Sequence, residues 1–124
     1  MSESAKRILI VDDDKEMTLL MQAILKKHHY EVYLAHDGLK AIKKSNEHSI
    51  DLILMDIRMP FFSGFWFCDA FKQRPGTKNI PILIVSSLSD EATIKKAYQM
   101  GASGYLKKPF EAEELLTAVK KVLS

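Results

Sequence analysis

Short apolar runs alternate along this chain with stretches in which apolar residues recur every three or four positions. Arg7–Val11 (RILIV) is nearly all apolar and runs into acids, the mark of a buried parallel strand. The next stretch predicts a helix with Asp14 as N-cap and Met17, Leu20, Met21, Ile24 and Leu25 on its core face. Residues 30–35 (YEVYLA) predict a second strand closed by HDG, and 40–45 a short helix. Residues 51–55 (DLILM) predict a third strand, with a helix over 64–73. RPGTKN then breaks the chain before a fourth strand in IPILIVSS. Ser89 is placed to cap a helix that carries Asp90 and Glu91 in its first turn and stops at Gly101. A short fifth strand falls in SGYLKKPF. The last helix, 111–123, turns Leu115, Leu116, Val119, Val122 and Leu123 inward.

Strand then helix, five times over, predicts an α/β fold. The expected architecture is a doubly wound five-stranded parallel sheet with helices on both faces and right-handed crossovers. The pattern leaves the strand order open. At 124 residues the chain suits one domain spanning 1–124, with a short tail over 1–5. Its 47% hydrophobic and 27% charged content is that of an ordinary soluble protein, and its apolar runs fall short of a membrane span. A single cysteine, Cys68, excludes an internal disulfide and suits a reducing cytoplasm. With 18 basic and 16 acidic residues, the net charge of +2 does not argue for nucleic-acid binding.

Candidate chemistry lies where the strands end, because ligands of parallel α/β sheets bind beyond the carboxyl ends of the strands. The first strand delivers Asp12, Asp13 and Asp14; the third delivers Asp56; the fourth Ser86 and Ser87; the fifth Lys107 and Lys108 before Pro109. The second offers only His36 and Asp37. Asp56 is the conspicuous member. Four apolar residues lead straight into it, and a carboxylate in such a place costs several kcal/mol unless something compensates it.

The ordered set ILIVDDD, DLILMDIRMP, PILIVSS and GASGYLKKPF resembles the receiver domain of bacterial two-component response regulators over nearly the whole chain. The resemblance implies a flavodoxin-like strand order of 2-1-3-4-5. In that order the first and fourth strands flank the third at about 4.8 Å, and the fifth lies about 10 Å off, a gap that only a long side chain such as lysine crosses. It also implies that Asp56 is the phosphoacceptor, with Lys108 and Ser86 contacting the phosphoryl group. Mg²⁺ (or Mn²⁺) would be held by Asp13, Asp56 and the backbone carbonyl of Arg58, with Asp12 acting through water. Ser86 and Tyr105 would form a switch that reports phosphorylation on the fourth helix, fifth strand and last helix. The implied donor is a sensor histidine kinase, a phosphotransfer protein or a small phosphodonor, and the implied output is an unidentified protein target. Such a chain catalyses only its own phosphorylation and dephosphorylation. It is expected to be cytoplasmic, a stand-alone regulator like the chemotaxis type, a monomer or weak dimer, and to contact neither nucleic acid nor membrane directly.

The sequence departs from the family pattern at several positions. Ser87 stands where a small residue, often alanine, is usual. The text after Asp56 reads MPFFSGFWFCDAF, placing Phe61 and Trp66 where small or charged residues are common; both are candidates for a partner surface. Arg58 and Leu88 occupy positions that tune water access in the family, and Leu88 cannot orient water by hydrogen bonding, so slow self-dephosphorylation is expected. A dehalogenase-type hydrolase would repeat the acid two residues after Asp56, where Arg58 stands, and no Gly-rich nucleotide loop is present. The remaining rival is a pseudo-receiver that acts through protein contacts alone.

Overall fold

Five apolar runs form five parallel strands in a computed structural model that describes residues 5–59 and 62–124, with the side chain of Phe62 excepted. The elements are β1 (Arg7–Val11), α1 (Lys15–Lys27), β2 (Glu31–Ala35), α2 (Gly38–Glu47), β3 (Leu52–Met55), β4 (Arg58–Met59), β5 (Phe62–Ser63), α3 (Gly64–Gln73), β6 (Ile82–Ser86), α4 (Glu91–Gln99), β7 (Gly104–Lys107) and α5 (Ala112–Leu123). The main sheet runs β2-β1-β3-β6-β7 with every neighbour parallel. Counting sheet strands in chain order, this is 2-1-3-4-5. The two-residue strands β4 and β5 form a separate antiparallel hairpin that the sequence pattern does not announce.

The strands are apolar at nearly every position because both faces of the sheet are covered. Leu9, Val11, Ile53, Met55, Ile82 and Ile84 join a cluster with Ala41, Phe67 and Phe71 from α2 and α3. Their alternates Ile8, Ile10, Leu52, Leu54, Leu83 and Val85 join Met21, Leu25, Leu115 and Val119 from α1 and α5. Each fully buried Leu, Ile or Phe contributes about 1.5–3 kcal/mol relative to exposure.

Two details differ from the sequence reading. Leu20 is 49% exposed rather than in the core, because the sheet-facing row of α1 is Thr18, Met21 and Leu25. Thr18 is tolerated inside because its hydroxyl donates to the Lys15 carbonyl at 2.8 Å. The cap of α4 is Asp90, not Ser89: its carboxylate accepts from the Thr93 N–H at 3.0 Å and the Thr93 hydroxyl at 2.7 Å. An ionised acceptor at a helix N-terminus is stronger than a serine hydroxyl. Thr93, and to a lesser degree its backbone N–H, holds the Asp90 carboxyl below its usual range. Gly101, at φ 107°, takes the left-handed conformation that ends α4.

Candidate functional site

The sheet ladder sets the site by continuing one residue past the strands. Asp12 N–H donates to the Ala35 carbonyl at 3.1 Å, Asp56 N–H to Val11 at 3.1 Å, and Lys108 N–H to Ser86 at 2.8 Å. These main-chain bonds bring three charged residues from three strand ends to one edge. Lys108 spans the distance from the outer strand: its Nζ lies 2.7 Å from Asp12 Oδ2 and 3.0 Å from Asp56 Oδ2.

All three groups are shielded. Asp12 is 1% exposed and Asp56 9%, and the Lys108 side chain is 12% exposed. The second oxygen of each acid is held by backbone: Asp12 Oδ1 accepts from Asp14 N–H at 3.0 Å and Asp56 Oδ1 from Arg58 N–H at 2.9 Å. Burial pushes the Asp12 carboxyl above its usual range; Lys108 and the Asp14 N–H oppose this, and the Asp56 charge adds to it. For Lys108 the largest single influence is burial, which favours the neutral amine. Hydrogen bonds and charge from Asp12 and Asp56 together outweigh it and raise the lysine's pKa. The net effect is an ammonium locked between two carboxylates.

Above these groups opens a cavity of about 910 Å³ whose wall includes Asp12, Asp13, Asp56, Arg58, Ser87 and Lys108. Asp13 is exposed there, and its carboxylate makes no hydrogen bond or ion pair to another described residue. Among the described residues, no three His, Cys, Asp or Glu side chains gather into a protein-only metal cage.

Ser86, though adjacent in sequence, does not line this cavity. It is fully buried, and its Oγ accepts from the Leu88 N–H at 3.3 Å. Tyr105 is partly buried beside it and donates its phenol hydrogen to the Leu88 carbonyl at 2.6 Å. Burial raises the Tyr105 phenol pKa, and a hydrogen bond with Ser86 opposes the rise.

Trp66 lies outside the cavity, 57% exposed in the first turn of α3, its ring edge-on to Phe67 at 5.0 Å. Phe61 falls outside the described residues. The sequence reading missed Ser63, whose hydroxyl accepts from Phe65 N–H as the α3 cap while the residue also lines the cavity. The Ser-Gly pair before the aromatic helix was the available signal.

The sequence matches the family described as response regulator receiver domain over residues 8–120. It is 37% identical over 121 residues to the chemotaxis protein CheY of Bacillus subtilis, covering 97% of this chain and 99% of that one. Other relatives, transcriptional regulators by name, are longer, and the chain spans 48% and 49% of the length of two of them. Among solved structures, Vibrio cholerae CheY4 superposes with a TM-score of 0.92 at 32% identity, covering 96% of this chain and 99% of that one. The receiver domain of the Pseudomonas aeruginosa sensor histidine kinase PA1611, described with magnesium in its active site cleft, superposes with a TM-score of 0.86 at 26% identity, over 96% of this chain and 98% of that one. Fold and sequence agree that the chain belongs to the response regulator receiver domain family of two-component systems.

Proposed function

We propose that this chain accepts a phosphoryl group on Asp56 and passes the change in charge to a protein partner. The observation that carries the reading is the Lys108 ammonium between the buried carboxylates of Asp12 and Asp56 at the mouth of an open cavity. An Asp56 oxygen attacks phosphorus, the bond from phosphorus to the donor breaks, and an acyl phosphate forms. The donor is the phosphohistidine of a sensor histidine kinase or phosphotransfer protein, or a small compound such as acetyl phosphate. Lys108 is poised to follow the negative charge onto the phosphoryl oxygens, and Ser86 adds a hydrogen bond. Hydrolysis returns the free carboxylate. No catalysis beyond these two reactions belongs to the chain.

Mg²⁺ (or Mn²⁺) fits the donor set. Asp13 has an unengaged carboxylate at the cavity, and a hard ion that keeps its own waters needs only one or two protein carboxylates. Asp13, Asp56 and the Arg58 backbone carbonyl would hold it, with Asp12 reaching it through water. Bound there, the ion supplies positive charge that screens the carboxylates from an incoming phosphate.

Output runs through the segment after β6. Ser86, Leu88 and Tyr105 are linked by hydrogen bonds, so a phosphoryl group that draws on the Ser86 hydroxyl disturbs the start of α4. The decisive experiment is phosphorylation by acetyl phosphate with Mg²⁺, followed by intact mass. Wild type should gain one phosphoryl group and Asp56→Asn none; equal labelling of the two would overturn the assignment.

A further inference from the structure

The cavity over Asp56 has a hydroxyl in its wall that the proposed mechanism does not use. Ser87 is exposed and lines the same space as Asp13, Asp56 and Lys108. Its side chain makes no hydrogen bond to another described residue.

Ser86 sits differently. As the last residue of β6 it continues the face of Ile82 and Ile84, on which Tyr105 also packs. Its oxygen takes the Leu88 N–H, and the carbonyl of the same Leu88 accepts from the Tyr105 phenol. Ser87, one residue on, turns toward the cavity. Of two consecutive hydroxyls, then, one is buried beside Leu88 and the other is exposed at the cavity.

Resting on the phosphoacceptor reading of Asp56, we infer that Ser87 donates a second hydrogen bond to an oxygen of the phosphoryl group held there, beside the one from Ser86. A serine hydroxyl rotates freely to suit an acceptor, and a terminal phosphoryl oxygen is a charged one. The bond is made only when phosphorus is present, so it stabilises the modified state and leaves the resting site unchanged. Removing it should weaken the hold on a phosphoryl group about tenfold.

The test uses the whole chain with Mg²⁺ and beryllofluoride, titrated by fluorine NMR, with amide shifts recorded at saturation. Ser87→Ala should weaken beryllofluoride binding about tenfold, and Ser87→Thr, which keeps the hydroxyl, should restore most of it. Neither should alter Mg²⁺ affinity or the bound-state shifts of Leu88 and Tyr105. Ser86→Ala should move those shifts. Wild-type affinity in Ser87→Ala, or equal losses in the Ala and Thr variants, would overturn the role given to Ser87. Asp56→Asn separates the two levels: loss of binding there keeps the phosphoacceptor reading, and binding equal to wild type ends both.

Discussion

Lys108 Nζ lies 3.0 Å from Asp56 Oδ2 although 52 positions separate the two residues in sequence. The same ammonium is closer still to Asp12, at 2.7 Å. Removing the cation leaves two shielded carboxylates facing each other without compensation. Lys108→Met should therefore destabilise the metal-free chain by about 3 kcal/mol, read as a lower urea midpoint. A second substitution, Asp12→Asn, should recover part of the loss by removing one of the uncompensated charges. No recovery would mean that the lysine stem matters more than its charge.

Gly38 opens α2 where the Phe67 ring passes, and a Cβ there would lie 1.5 Å from Phe67 Cζ. Phe67 is 1% exposed and wedged in the core, so the ring cannot swing clear. Gly38→Ala should cost about 3 kcal/mol. In a Phe67→Leu background the same change should cost at least about 1 kcal/mol less, because the two positions share one space. A thermal or urea double-mutant cycle measures the coupling.

Leu88 presents no side-chain hydrogen-bonding group beside Ser86 and Tyr105, which engage its backbone N–H and carbonyl. The aspartyl phosphate should accordingly persist for minutes or longer with Mg²⁺ present. Leu88→Gln adds an amide able to orient water and should shorten the half-life several-fold. Loss of label after donor removal reads both values.

Cys68 is buried in α3, and burial pushes its thiol from 9.0 up to about 11, with Lys72 opposing. Since the thiolate is the nucleophile, the native chain should react with a disulfide reagent at pH 8 far more slowly than the urea-unfolded chain. A folded-state pKa above the unfolded value favours folding fully below pH 9.0 and loses that contribution as pH rises through about 11. Cys68→Ala should flatten that part of the alkaline fall in urea midpoint.

The strands were readable because burial on both faces leaves an unbroken apolar run, as in RILIV and ILIVS. The acid and lysine positions followed from where those runs end. Other features depend on contacts between distant segments. Leu20 has the right residue type for a core position, and only the orientation of α1 on the sheet turns it outward. Asp90 and Ser89 are both good caps, and Thr93 decides between them by giving the carboxylate two donors. The β4–β5 hairpin is too short to leave a periodic signature, yet it brings Ser63 to the cavity. Residue type alone does not distinguish Ser86 from Ser87; the resemblance separates them by position, and the structure buries the first and exposes the second.

Gly64 rests directly on the backbone around Asp56: its N–H donates to the Ile57 carbonyl at 3.1 Å, and a Cβ there would lie 2.8 Å from the Asp56 carbonyl oxygen. The start of α3 is therefore packed against the backbone of Asp56 and Ile57, with no room for a side chain at position 64. On the other side, Leu88 is tied by hydrogen bonds to Ser86 and Tyr105. Any residue other than glycine at position 64 would have to push α3 away from Asp56, so the place where the helix begins and the place where the carboxylate stands are fixed together.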